Sequence, residues 1–190
     1  AVTGAPILHS RSPQVFANLD LPPHIYIRLR PASWERVPLL ARELGLDGIN
    51  VTAPFKAPAA RWATTDLESI NTLLLEEPRP SGLSTDPEGV LEPLRQRHFP
   101  FRNARILLLG AGAAARSLRT ALLDEGAKLM VANRSGLADD NPLSTLPSVP
   151  WQTLVEGCPA CELIIHTAGM DPFHLGPPQG DVKPWLLDAT

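Results

Sequence analysis

The segment Gly48-Ile49-Asn50-Val51-Thr52-Ala53-Pro54-Phe55-Lys56 sets a lysine a few residues beyond a short apolar strand. Ile49 and Val51 read as the buried positions of that strand, and Pro54 stops its ladder by removing an N–H. Thr52 and Lys56 then fall at the strand's carboxyl end, the edge at which open α/β sheets bind ligands. An ammonium held there can stabilise negative charge developing on an oxygen and then protonate it. A second segment, Ile106-Leu107-Leu108-Leu109-Gly110-Ala111-Gly112-Ala113-Ala114-Ala115-Arg116, runs from an apolar strand through a glycine turn into a helix. It matches G-x-G-x-x-A through Gly110, Gly112 and Ala115: one glycine for the tight turn, one for close approach to a pyrophosphate, and alanine for helix–strand packing. The N–H groups around Ala111, Ala113 and Ala114 lie at the positive end of the helix, where phosphates bind. A positioned lysine and a dinucleotide turn together point to an enzyme that moves hydride.

The choice of nucleotide is read at the end of the next strand, Ala127–Ala132, which runs into Asn133-Arg134-Ser135. A carboxylate there would accept from a ribose 2′-OH, as in NAD-binding proteins. A guanidinium beside a hydroxyl suits a 2′-phosphate instead, so NADP is expected. Nearer the amino end, His9-Ser10-Arg11-Ser12-Pro13 places two hydroxyls at the head of a helix, where a carboxylate can bind. Ser12 reads equally as the N-cap of that helix, whereas Ser10 has no such role. Asn71-Thr72 and Gly82-Leu83-Ser84-Thr85-Asp86 add polar groups beside apolar segments, and Asp86 reads equally as a helix cap.

Around these residues the chain alternates strands and helices. Ala1–Ile7 and His24–Leu29 read as strands, and Ser12-Pro13 opens a helix. Ser33–Leu44 reads as a helix with Ser33 as cap and Gly45 as terminator. Leu73-Leu74-Leu75 is a short apolar run, and Asp86–Arg97 a helix bent or broken near Pro93. A strand Ile106–Leu109, a helix from about Gly112 to Glu125 and the strand Ala127–Ala132 make a βαβ unit. The fold class is therefore α/β: an N-terminal α/β substrate domain, residues 1–102, and a Rossmann-like dinucleotide-binding domain, residues 103–190, with the boundary within Phe99–Asn103.

Composition narrows the alternatives. A chain of 190 residues with a formal net charge of −3 and no basic run does not suggest nucleic acid or an anionic membrane as a partner. No apolar stretch approaches a membrane span and no signal-peptide pattern opens the sequence, so a cytoplasmic soluble protein is the expectation. Cys158-Pro159-Ala160-Cys161 has the spacing of a redox dithiol or half a zinc site. With no second cysteine pair and no suitably spaced histidine pair, it reads as a loop cysteine plus one at the mouth of the strand Leu163–Ile165, and no metal is expected.

In order along the chain, these pieces resemble the shikimate dehydrogenase family. Its motifs G-x-P-I-x-H-S-x-S-P, N-V-T-x-P-x-K, N-T-L, N-T-D-x-x-G, the glycine turn and N-R-[ST] correspond to Gly4–Pro13, Asn50–Lys56, Asn71–Leu73, Ser84–Gly89, Gly110–Arg116 and Asn133–Ser135. The resemblance covers essentially the whole chain and implies NADPH-dependent, reversible reduction of 3-dehydroshikimate to shikimate. It implies Lys56 and Asp86 as the catalytic pair, Ser10 and Ser12 as holders of the substrate carboxylate, and Thr52 and Asn71, with Asp86, as partners of the ring hydroxyls. Three departures stand out. Ser84 replaces the family's usual Asn, the stretch after Ser135 lacks a second arginine, and Ile165–Met170 is a shortened form of the loop beside the nicotinamide. The chain also stops at Thr190, short of the family's closing segment, which leaves open a fragment or a fusion to another domain of the same pathway; a homodimer is open as well. Two rival readings are a quinate/shikimate dehydrogenase of relaxed specificity and a module that senses shikimate or quinate without turning it over.

Overall fold

The computed structural model describes residues 1–76, 78–168, 175–179 and 184–189. The chain divides into two compact units, Ala1–Thr85 and Asp86–Thr190.

The first unit is built on a five-stranded sheet of β1 (Val2–Thr3), β2 (Arg28–Leu29), β3 (Gly48–Val51), β4 (Thr72–Leu74) and β5 (Ser81–Leu83), in the order β2-β1-β3-β4-β5. β1 is parallel to β2 and β3, while β4 and β5 return antiparallel. The ladder of β1 is shorter than the expected Ala1–Ile7, because the chain bends after Thr3 and Pro6 has no N–H to donate. Only the end of His24–Leu29 pairs as β2. The helices are α1 (Ser12–Ala17), α2 (Arg36–Glu43) and α3 (Lys56–Trp62). α2 starts later than its expected cap at Ser33: Glu35 occupies the N-cap position without a side-chain capping bond, and residues 33–35 form a turn in which Arg36 N–H donates to Ser33 O. At its other end Gly45, at φ 58°, terminates it as expected, with Gly45 N–H donating to Arg42 O and Leu46 N–H to Ala41 O, the paired bonds of a Schellman motif. Val37 and Ala41 of α2 and Ala59 and Ala60 of α3 pack on Ile49, Val51 and Leu73, forming the core of this unit.

The second unit opens with α4 (Asp86–Gln96) and then β6 (Arg105–Leu109), α5 (Ala113–Asp124), β7 (Lys128–Ala132), a 3-10 turn (Pro142–Thr145), α6 (Thr153–Glu156), β8 (Leu163–His166) and β9 (Trp185–Asp188). Its strands are all parallel, in the order β7-β6-β8-β9. The apolar run of β6 is buried on both faces: Ile106 and Leu108 join the core of α4 and α5, Leu107 and Leu109 that of Leu154, Cys158 and Cys161. This is the pattern of a central parallel strand. α4 belongs to this unit, since Val90, Leu91 and Leu94 share a core with Leu118 and Leu122 of α5. The division thus precedes α4 rather than falling within Phe99–Asn103. α4 also runs unbroken through Pro93, where a bend or break was expected.

Candidate functional site

In the first unit the sheet register gathers the predicted polar residues along one edge. Asn50 lies opposite Thr72, and Thr72 opposite Leu83, so the end of β3, the start of β4 and the end of β5 coincide. Thr52 leaves β3 at this edge, its N–H donating to Thr3 O (2.9 Å) and its carbonyl accepting from Phe55 N–H (2.9 Å). Lys56 is the first residue of α3 and half-buried; its carbonyl accepts from Ile70 N–H, tying the helix start to the residue before Asn71.

A chain of hydrogen bonds runs along this edge. Ser10 Oγ donates to Ser12 Oγ (3.1 Å), and Ser12 bonds the hydroxyl of Tyr26. Tyr26 donates to Asn50 Oδ1 (2.5 Å), and Asn50 Nδ2 to Thr72 Oγ1 (3.2 Å). Thr72 Oγ1 donates to Asn71 Oδ1 (3.0 Å), and Asn71 Nδ2 to Thr85 Oγ1 (2.9 Å), with Thr85 N–H returning to Asn71 Oδ1 (3.1 Å). The predicted Ser10, Ser12 and Asn71 therefore belong to one network, joined by Tyr26, Asn50, Thr72 and Thr85.

The serine roles differ from the sequence expectation. Arg11 is the N-cap of α1 and no side chain caps it. Ser10 Oγ accepts the Ser12 N–H (3.3 Å), so the local turn uses Ser10, and the Ser12 hydroxyl is turned to Tyr26 instead. Tyr26 is the residue the sequence reading missed. The chain's one tyrosine carries no motif, and its partners lie far away in sequence. Its ring stacks on Phe16 of α1 (centroids 4.3 Å apart), which holds the hydroxyl in place. Burial pushes its pKa up, against the smaller opposing effect of the Ser12 bond, so the phenol stays a donor at neutral pH.

Asp86 directly follows Thr85 and opens α4, in the first turn, where a carboxylate suits the helix dipole. It is assigned to the second unit and Lys56 to the first.

In the second unit the glycine turn follows β6 at the point where the strand order reverses, β7 lying on one side and β8 on the other, the usual ligand crevice of such sheets. Gly110 has φ 105°, and a Cβ on it would come within 3.0 Å of Ala168 and Thr167. Thr167 closes over the turn, its N–H and Oγ1 both donating to Leu109 O (2.9 Å each). Gly112 is the N-cap of α5 with no side-chain cap, and a Cβ there would meet nothing within 4 Å. The first-turn N–H groups of α5, at Ala113 and Ala114, lie at the positive end of a 12-residue helix that no side chain caps. At the end of β7, Asn133 Nδ2 donates to Gly136 O (2.5 Å) and Gly136 N–H to Asn133 O (3.2 Å). This turn leaves Arg134 and Ser135 as its two central, exposed residues. Asn133 closes the turn, and Arg134 and Ser135 are the groups it presents.

His166 ends β8 with Nδ1 3.3 Å from Asp188 of β9, a pairing the sequence reading did not foresee. Gly169 and Met170 of the expected nicotinamide loop lie outside the described residues. Cys158 and Cys161 are free and buried; burial pushes both thiols up, Cys161 to about 12, so neither is a ready thiolate. Among the described residues no group of three potential ligands could hold a metal, and no helix is long and apolar enough to cross a membrane.

No family model matches the chain. It is 31% identical over 195 residues to a shikimate dehydrogenase (NADP(+)) of Halobacterium salinarum, covering 94% of this chain and 72% of that protein. With a shikimate dehydrogenase (NADP(+)) of Stenotrophomonas maltophilia it shares 38% identity over 151 residues, 71% of this chain and 53%, about half, of that one. A solved shikimate 5-dehydrogenase from Thermus thermophilus, in complex with NADP(H) and shikimate, superposes with a TM-score of 0.70 at 28% identity, over 88% of this chain and 67% of that one. Similarity of this extent in sequence, joined to the two-unit α/β architecture, establishes that the chain belongs to the shikimate dehydrogenase family.

Proposed function

We propose that this protein catalyses the NADPH-dependent, reversible reduction of 3-dehydroshikimate to shikimate. The observation that carries the reading is the continuous polar network from Ser10 to Thr85, on the same sheet edge as Thr52 and the start of α3 at Lys56.

Shikimate is a carboxylate with ring hydroxyls, and the network offers groups for both. Ser10 and Ser12 bind the carboxylate by turning their protons away from Ser12 Oγ and the Tyr26 oxygen, respectively, toward the substrate. Thr52 and Asn71 hold the ring hydroxyls, with Asn71 oriented by its two bonds to Thr85. Lys56 stabilises the negative charge that develops on the carbonyl oxygen and gives that oxygen its proton, an effect of roughly 10²–10⁴-fold. Asp86 accepts a hydrogen bond from a substrate hydroxyl.

The residues of the second unit fit NADP. The space beside Gly112 and the uncapped start of α5 suit a pyrophosphate, and Arg134 with Ser135 suits a 2′-phosphate. The cofactor, when bound, supplies or takes up the hydride. The buried free thiols suit a reducing, cytoplasmic setting.

The test is NADPH formation from NADP⁺ and shikimate by the purified protein, with NAD⁺, quinate and Lys56→Ala as controls. Turnover that collapses in Lys56→Ala while NADP affinity holds supports the reading. Equal turnover of quinate would favour the relaxed-specificity dehydrogenase. Shikimate binding without turnover would favour a sensing module, for which the Ser84 departure is the motivating feature.

A further inference from the structure

The stretch between β7 and α6 carries a residue that no motif marks. Asn141 stands at the N-cap of the 3-10 turn Pro142–Thr145, where its Oδ1 accepts the Leu143 N–H (3.0 Å) and Pro142 fills the first position. Leu143 is fully buried in the core that holds Leu118 and Leu122 of α5, so the turn is anchored against that helix. The backbone of Asn141 is tied as well, its N–H donating to Ala138 O (3.0 Å) and its carbonyl accepting from Ser144 N–H (2.8 Å).

The cap decides which way the amide points. With Oδ1 turned to an N–H, Nδ2 is the opposite end, and it donates to Ala111 O in the glycine turn (3.2 Å), 30 residues earlier. Arg116 Nη1 reaches the same oxygen at 3.5 Å, a longer and weaker contact. The Ala111–Gly112 peptide is planar and trans, so its C=O and N–H point in opposite directions. Holding the oxygen toward Asn141 therefore sets the Gly112 N–H away from it. Among the described residues that N–H has no acceptor, and it stands at the head of α5 beside those of Ala113 and Ala114.

From this arrangement we infer that Asn141 is a positioning residue for the cofactor. It fixes the Ala111–Gly112 peptide so that the Gly112 N–H is already presented when a pyrophosphate arrives. This rests on the NADP reading of the turn. Glycine leaves its own side of the peptide free to rotate, and binding would otherwise have to stop that rotation. Asn141 acts through Ala111 and needs no contact with the cofactor itself.

The test is Asn141→Ser. Serine caps as well as asparagine and keeps the charge unchanged, but its short side chain does not span both Leu143 N–H and Ala111 O. NMR titrations of the purified protein compare NADP⁺ with 2′-AMP, which has the 2′-phosphate and lacks the pyrophosphate. The variant should bind NADP⁺ about three- to tenfold more weakly, the worth of one hydrogen bond, and 2′-AMP within about twofold of the unaltered protein. A structural role alone would lower the thermal transition without separating the two ligands. Unchanged NADP⁺ affinity, or equal weakening of both ligands, would overturn the role of Asn141 while leaving the cofactor reading in place. Failure of the unaltered protein to bind NADP⁺ or 2′-AMP would instead overturn the cofactor reading, and this inference with it.

Discussion

Tyr26→Phe isolates what the hydrogen-bonded edge of the first unit contributes. The substitution keeps the ring that stacks on Phe16 and removes only the hydroxyl, which joins Ser12 to Asn50. Asn50 Oδ1 then loses its donor at 2.5 Å, and Ser12 loses the partner that fixes its rotamer. Leaving such a group unsatisfied costs about 1–3 kcal/mol, and the partial exposure of Asn50 places this case near 1–1.5 kcal/mol. If that energy serves to hold Ser12 for the substrate carboxylate, it appears as a rise of about 5–13-fold in KM for shikimate. kcat should stay within about threefold, because the hydroxyl positions Ser12 and does not touch the reacting carbonyl. NADP⁺ affinity should not change, since the groups assigned to it belong to the other unit. Steady-state kinetics with shikimate varied at saturating NADP⁺, together with calorimetric NADP⁺ titration, provide the readout. A lowered thermal transition with an unchanged KM would show the network to be structural only and refute the reasoning. A fall in kcat of a hundredfold or more would refute it in the other direction, by placing the hydroxyl in the chemistry.

The glycine turn gives a paired test: Gly112→Ala should leave the thermal transition unchanged, because φ −76° suits alanine and its Cβ meets nothing, yet weaken NADP⁺ binding about tenfold or more as the methyl enters the cofactor's approach. Gly110→Ala should instead lower stability itself by about 1–3 kcal/mol, from φ 105° and the close contacts with Ala168 and Thr167, as read by denaturant unfolding. Arg134→Gln should weaken NADP⁺ binding at least about tenfold while leaving NAD⁺ binding unaltered, measured by parallel calorimetric titrations. For Glu162, the Arg105 guanidinium 2.7 Å away holds the carboxyl below its ordinary value of 4.5. A depressed folded pKa means stability present above the unfolded value and lost as pH falls through the folded one, so Glu162→Gln should flatten the acid limb of a plot of stability against pH.

Much of this protein was legible locally. The apolar runs that became β3, β6, β7 and β8, the stop at Pro54, the terminating Gly45 and the turn through Gly110 and Gly112 each follow from chemistry within a few residues. Backbone strain, a missing N–H and a buried apolar strand need no distant partner to be recognised. Individual site candidates were readable for the same reason, as Ser10, Thr52, Lys56, Asn71 and Arg134 stand in short, chemically distinctive segments. How those candidates are joined was not readable. Tyr26 and Asn50 are 24 residues apart and Asn50 and Thr72 are 22 apart, and they meet only because the sheet order β2-β1-β3-β4-β5 sets their strands side by side in one register. The helix Asp86–Gln96 looked like the end of the first domain, yet its apolar face matched the core of α5, a choice made by packing rather than by position along the chain. Ser12 could have capped its helix, and it turned to Tyr26 because folding brought a half-buried phenol within reach. Segment types and chemically special residues were set by local sequence; register, partnership and the extent of each unit were decided by which apolar faces found each other.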